Sequence, residues 1–226
     1  MKVYILLTFI TTVWGKCHLQ VEEGLPNRTL CTVETLEEDS LKLKNQKKAD
    51  YLYVDVSYGE IPKDAFAKLK SRKELWFLGE NITYIQPGAF AHLTELDNLA
   101  ITNTLITNVS KNSFSGVPNL KVLSLIKNKI EFIQDGAFSG LDSLQQLLLN
   151  ENRLRRINET TFQGLEHLQA LYLDDNPIEY VHVNALRKMT NLTRLVISFV
   201  KDKNIDETAL NFIDDSRKIV HYVKGD

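Results

Sequence analysis

The chain is poor in the residues that staple or break a fold. Its 226 residues include only two cysteines, five prolines, two tryptophans and two methionines. Two cysteines exclude a disulfide-dense scaffold. The 13 residues between Cys17 and Cys31, with no histidine cluster beside them, are not a metal-knuckle spacing. The five histidines, His18, His92, His167, His182 and His221, stand at unrelated positions, and HExxH, G-x-S-x-G and phosphate-loop motifs are missing. The expectation is a protein that is not an enzyme and has no metal and no cofactor. The adjacent acids Asp174 and Asp175 suit a solvated rim better than a calcium site, because hard cations want six or more oxygens. An excess of positive charge is also missing. The formal net charge is −2, and setting Lys2 aside leaves 26 basic residues against 29 acidic ones. Without a basic stripe, nucleic acid is not an expected partner.

Long apolar runs are confined to the first fifteen residues, MKVYILLTFITTVWG. One early Lys2, an apolar run, and Val13 and Gly15 at small-residue places read as a secretory signal peptide over 1–15. A membrane anchor would need about 20 apolar residues. No later stretch meets that length, and the polar tail KIVHYVKGD lacks the apolar end of a lipid-anchor signal. The mature chain is thus expected to be secreted and not membrane-spanning. An oxidising compartment lets Cys17 and Cys31 pair. CHLQV and TLCTV alternate apolar and polar residues around EEGLPNR, which predicts a small hairpin closed by a disulfide. Closing such a loop is worth about 3 kcal/mol in the chain-entropy account. Residues 16–47, with the charged and solvated TVETLEEDSLKLKNQKKAD, form the expected N-terminal cap.

What fills the rest is repetition. In LQQLLLNENRLRRINETTFQGLEH, residues 144–167, the places Leu144, Leu147, Leu149, Asn152, Leu154, Ile157, Phe162 and Leu165 recur at a spacing of 24. Upstream they are Leu120, Leu123, Leu125, Asn128, Ile130, Ile133, Phe138 and Leu141, and downstream Leu168, Leu171, Leu173, Asn176, Ile178, Val181, Leu186 and Met189. A fixed period with L-x-x-L-x-L-x-x-N marks a solenoid of stacked coils. Leu147 and Leu149, two apart, face one side of a strand while Gln146, Leu148 and Asn150 face the other. The Asn where the chain leaves the strand is tolerable inside only if its amide satisfies neighbouring backbone groups. Projecting the period outwards gives seven units over 48–215 and a terminal strand and tail over 216–226. It places Tyr51 and Tyr53 inward in the first unit and Ile219 inward in the last strand. It also predicts a Phe column along the back from Phe66 to Phe162.

These repeats, with GAFSGL, GAFAHL and NSFSGV on the back of the coil, resemble the animal extracellular leucine-rich repeat family. That family includes Toll-type receptor ectodomains, Slit-like guidance proteins, small matrix proteoglycans and secreted arthropod immune proteins. The single Cys pair is simpler than the family's four-Cys N-terminal cap, and the C-terminal Cys-rich cap is missing. The resemblance implies an α/β repeat solenoid: a leucine-rich repeat horseshoe with a parallel concave β-sheet, an irregular or short-helical convex side and an N-terminal β-hairpin cap. The last strand would offer an open edge that invites pairing.

Function in such a fold is expected on the open face of the sheet. The period assigns Leu52, Trp76, Ala100, Ser124, Leu148, Tyr172, Val196 and Val220 to its centre. Flanking places fall to Glu74, Val122 and Arg194 on one side, and to Val54, Leu78, Ile126, Asp174, Ser198 and Tyr222 on the other. The face is rich in apolar side chains, and a contiguous apolar patch marks a binding surface. The candidate binding residues are Trp76, Leu78, Val122, Ile126, Leu148, Tyr172, Asp174 and Arg194. The competing reading is that strand propensity alone places Leu, Val, Tyr and Trp there. Five N-x-S/T sequons, at Asn27, Asn81, Asn108, Asn158 and Asn191, are candidate glycan sites. The expected activity is binding of an extracellular protein or an apolar or lipid-bearing ligand, in innate immunity or extracellular signalling. An extracellular matrix or adhesion role for a mainly structural solenoid is the alternative. Homodimerisation through the concave face or the C-terminal edge strand fits either.

Overall fold

The computed structural model describes residues 16–20, 28–33, 51–56, 59–66, 73–77, 80–200, 207–211 and 218–223. In chain order the strands are β1 (Lys16–Gln20), β2 (Arg28–Val33), β3 (Tyr51–Val56), β4 (Gly59–Ile61), β5 (Glu74–Phe77), β6 (Ile82–Ile85), β7 (Asn98–Ile101) and β8 (Asn108–Val109). They continue as β9 (Val122–Ser124), β10 (Phe132–Ile133), β11 (Gln146–Leu148), β12 (Arg156–Ile157), β13 (Ala170–Ile178), β14 (Tyr180–Val181), β15 (Arg194–Val200) and β16 (Lys218–Val223). The main sheet has the order β1-β2-β3-β5-β7-β9-β11-β13-β15-β16. Every pairing in it is parallel except the β1–β2 hairpin. This is the parallel-sheet solenoid of a leucine-rich repeat horseshoe, with irregular turns on its back and, among the described residues, one 3-10 turn at Glu207–Leu210. No helix among the described residues is long and apolar enough to cross a membrane.

The period becomes geometry strand by strand. Gln146↔Ala170, Leu147↔Leu171 and Leu148↔Tyr172 pair across β11 and β13, so residues 24 apart sit side by side. Leu123, Leu147, Leu171 and Leu195 are thereby buried in one inward row. A second, minor ladder runs along the flank of the coil, where β4 pairs β6, β8 pairs β10, and β12 pairs β14. Behind both lies one continuous core, because no coil can bury its apolar side without its neighbour.

The back is organised by rings. Phe66, Phe90, Phe114, Phe138 and Phe162 stack with centroids 5.7, 6.0, 6.1 and 6.3 Å apart and nearly parallel planes. The column predicted from the sequence is therefore present. Around each ring the chain turns tightly, which explains both glycines of GAFSGL. Gly136 and Gly140 have φ of +76° and +84°. At Gly116, φ is +92° and a Cβ would lie 2.8 Å from Ala91 Cα, so conformation and space both demand glycine.

The asparagine ladder satisfies the backbone where each strand ends. Asn152 Nδ2 donates to Leu125 O at 2.8 Å and Leu149 O at 2.9 Å, while its Oδ1 accepts from Ile130 N at 3.0 Å. Asn176 repeats the pattern with Leu149 O, Leu173 O and Leu154 N. Asn128 donates to Ile101 O and Leu125 O. At the degenerate N-terminal end Thr104 takes the place. Its hydroxyl and its backbone N–H both donate to Asn128 Oδ1.

The ends of the sheet correct the projected register. Leu52 pairs Leu75 and Val54 pairs Phe77, a spacing of 23. Leu52 and Val54 therefore hold inward register places, and Val54 is fully buried. Tyr51 and Tyr53 share the outward places of Glu74 and Trp76. At the other end Lys218 pairs Leu195, Ile219 pairs Val196 and Val220 pairs Ile197. Ile219 thus moves to an outward place, and Val220 and Tyr222 to inward ones. Both segments, YLYVDV and KIVHYV, are apolar at both parities, so hydrophobic alternation could not choose between registers that differ by one residue. The predicted hairpin is also more than a lid, since β2 runs parallel to β3 and belongs to the main sheet.

Candidate functional site

The outward side chains of β5 to β15 form the candidate surface. Leu148, Tyr172 and Val196 pair in a row across three adjacent strands. Leu148 and Tyr172 are half-buried, and Val196 is only 9% exposed. Ile126 lies diagonal to Leu148, and Val122 pairs with Gln146 on one side and Asn98 on the other. Trp76 stands apart, three strands from Leu148, because Ala100 and Ser124 fill the row between them. At about 4.8 Å per strand, the gap is on the order of 14 Å. Two aromatic groups thus bracket a floor of small side chains.

Trp76 is held in place by charge. Its Nε1 donates to Glu74 Oε2 at 3.1 Å, and Asn98 Nδ2 donates to the other carboxylate oxygen at 2.8 Å. Below it, Asp97 lies between Lys121 at 2.9 Å and Lys73 at 3.4 Å. The hydrogen bond from Lys121, assisted by Lys73, holds the Asp97 carboxyl below the usual carboxylate range, against the opposing effect of burial.

Among the other candidates, Asp174 is half-buried at the end of its row and Arg194 is exposed beside Ala170. Leu78 and Asn27 lie outside the described residues. Asn81, Asn108, Asn158 and Asn191 are all exposed. Cys17 and Cys31 are directly opposed in the β1–β2 register. The face is less open than its composition suggests. Ala100 and Ala170 are buried, and Ser198 is 1% exposed, its hydroxyl accepting from Asp175 N at 3.1 Å. Ser198 lies within β15, which continues to Val200.

Sequence reasoning missed two features. A cleft of about 360 Å³ opens on the back between residues 159–166 and 184–189. The Phe column ends there, with Leu186 in the place after Phe162, and buried Phe162, Leu165, Ala185 and Met189 line the cleft beneath exposed Glu166 and Arg187. The second feature is a flank column at the outward places of the minor ladder, with Tyr84, Asn108, Phe132, Arg156 and Tyr180 in successive coils. Arg156 lies 4.3 Å over the Tyr180 ring, and Phe132 is 50% exposed. The spacing of 24 connects these residues in the sequence, but they lie outside the leucine pattern that draws the eye.

Comparison with known proteins agrees with this geometry. The family described as Leucine rich repeat matches residues 94–154 and 143–199. Among solved structures the chain is similar to TLR13 in the crystal structure of a TLR13–ssRNA13 complex, at 24% identity and a TM-score of 0.50. The likeness covers 66% of this chain and 26% of that one, so the chain spans about a quarter of that protein's length. No curated protein matches the sequence. Fold and family match together support a leucine-rich repeat protein, and such repeats imply a protein-binding role.

Proposed function

We propose that this chain is a secreted, glycosylated leucine-rich repeat protein that recognises an extracellular protein or lipid-bearing ligand on the outer face of its sheet. The observation that carries the reading is the arrangement on that face. A fixed tryptophan at one end and the Leu148–Tyr172–Val196 row at the other flank a floor of small residues. Trp and Tyr are frequent anchors of interfaces, and the small floor leaves room for a convex partner. Asp174 and Arg194 would form the polar rim. The face carries Glu74 and Asp174 against Arg194, so a polyanion finds little positive charge there. For that reason the RNA of the TLR13 complex stays with that protein. The resemblance of the repeats to extracellular ones supports innate immunity or extracellular signalling as the setting. The opposed register of Cys17 and Cys31 supports a disulfide closing the cap.

The test is a triple variant, Trp76→Asp, Ile126→Asp and Leu148→Asp, expressed through the secretory route beside the parent. These half-buried side chains sit off the core, so thermal melting should change little. Capture of proteins from extracellular fluid, and of vesicles of neutral and anionic lipid, should be lost together. Capture that survives the triple change sinks the outer-face proposal.

One observation favours a matrix or adhesion role instead. Among the described residues the most exposed large hydrophobic ones, Leu105, Phe132 and Val183, all lie off this face. A structural solenoid would use its flanks and the edge strand β16, and self-association would then survive the triple variant in sedimentation across concentration.

A further inference from the structure

The most exposed of those three hydrophobic residues, Phe132, stands beside a sequon. Phe132 is the in-register partner of Asn108 across the β8–β10 pair, and the two side chains share the outward side because Val109 and Ile133 next to them are buried. One coil earlier, at the same place, is Tyr84. Its hydroxyl lies 3.1 Å from Ser110 Oγ, the hydroxyl residue of the same Asn108-Val109-Ser110 sequon. Asn108 thus lies between an aromatic ring on the coil before it and one on the coil after. The places 24 residues either side of Asn158 are Gln134 and His182, so that sequon has no such pair. A half-exposed phenylalanine on a two-residue strand adds little to the core, since Ile133 already fills the inward place.

We propose that Phe132 and Tyr84 form a platform for the first N-acetylglucosamine of a glycan on Asn108. The inference rests on the secretory reading above and adds to it a defined resting place for one sugar. Attachment forms a bond between Asn108 Nδ2 and the sugar C1 and breaks the bond from C1 to the phosphate of a lipid-linked oligosaccharyl diphosphate. The lipid diphosphate leaves and the amide gives up one proton. The amide hydrogen that remains can keep the bond that Asn108 Nδ2 makes to Thr107 Oγ1 at 3.1 Å. One face of a pyranose is lined by C–H groups, and that face suits the negative face of an aromatic ring. The sugar covers apolar surface that water would otherwise meet, and the ring in turn orders the sugar.

The experiment is a thermal-melting cycle on protein secreted from a eukaryotic host, with glycopeptide mass spectrometry on the same samples. The four proteins are the parent, Asn108→Gln, Phe132→Ala and the double variant. Phe132 is half-exposed, so Phe132→Ala should fold. Asn108 should be occupied. Asn108→Gln should lower Tm by about 2–4 °C in the parent and by much less in the Phe132→Ala background, because the two changes share one contact. Trimming every glycan to its first sugar should leave the parent's Tm in place. Equal shifts in both backgrounds overturn the platform. An empty Asn108 beside occupied Asn81 or Asn158 overturns it as well, and leaves the secretory reading standing. A chain retained in the cell with no sequon occupied overturns both.

Discussion

Asn152 offers the sharpest test of how the coils are held together. The change Asn152→Asp keeps size and shape and reverses the polarity of one group. Nδ2 now donates to Leu125 O at 2.8 Å and Leu149 O at 2.9 Å in a site where Asn152 is 6% exposed. In the variant an oxygen would face both carbonyls. Leaving a buried acceptor without its donor costs about 1–3 kcal/mol, so two of them put the loss at about 2–6 kcal/mol. That is a large share of a domain stability of roughly 5–15 kcal/mol. Urea unfolding at pH 7, followed by circular dichroism, measures it. The sign of the pH dependence is also fixed. Burial and the two carbonyls raise the folded pKa of the introduced carboxyl above its unfolded value of about 3.9. The variant therefore recovers stability below the unfolded pKa, where the protonated acid donates once, and loses it as pH rises through the folded pKa. A loss below about 1 kcal/mol at pH 7, or one that ignores pH, refutes the ladder as a source of stability.

Further expectations follow from other parts of the coil. Gly116→Ala should cost more than Gly140→Ala in chemical denaturation. Both positions have positive φ, but only at Gly116 does a Cβ meet backbone, at 2.8 Å from Ala91 Cα, and nothing lies within 4 Å of it at Gly140. Equal losses would mean that the close approach is not a constraint. Phe114→Ala removes a fully buried ring stacked on both sides and should cost about 3–5 kcal/mol by the same assay. A loss near 1 kcal/mol would show that the column is not continuous. Asp97 contributes stability that is present above its unfolded pKa and disappears as pH falls through its lowered folded value. In Asp97→Asn, melting temperature between about pH 2 and 4 should therefore fall less steeply than in the parent, and identical slopes would remove Asp97 from the account.

The central coils were legible because one pattern fixes several things at once. Leu147 and Leu149 give the inward face, Asn152 the turn, and Phe138 and Phe162 the back, and each is answered 24 residues away. At the ends this redundancy fails. Tyr51 to Val54 and Lys218 to Val223 offer apolar residues at both parities and no Asn, so the one-residue shortening at each end left no mark on the pattern. The candidate face was legible as places but not as exposure. Whether Val196 and Ser198 meet solvent depends on packing around the long strands β13 and β15, which the repeat pattern does not encode. The flank pairing of Asn108 with Phe132 needs the minor ladder, and its two-residue strands are too short to announce themselves by alternation.

The ladder also has a direction. Asn152 closes groups at Leu125 and Ile130, and Asn176 closes groups at Leu149 and Leu154, so each amide serves the coil that precedes it. During synthesis the coil most recently made is therefore always unfinished, with a carbonyl and an N–H waiting for an asparagine about one period away. The growing solenoid advances with an incomplete leading turn, and each new unit seals the last. After Asn176 the next place of the period is Val200, so no amide follows there. The Ser198 hydroxyl takes Asp175 N, whose counterparts Lys127 N and Glu151 N bond to the carbonyls of Asn150 and Asp174.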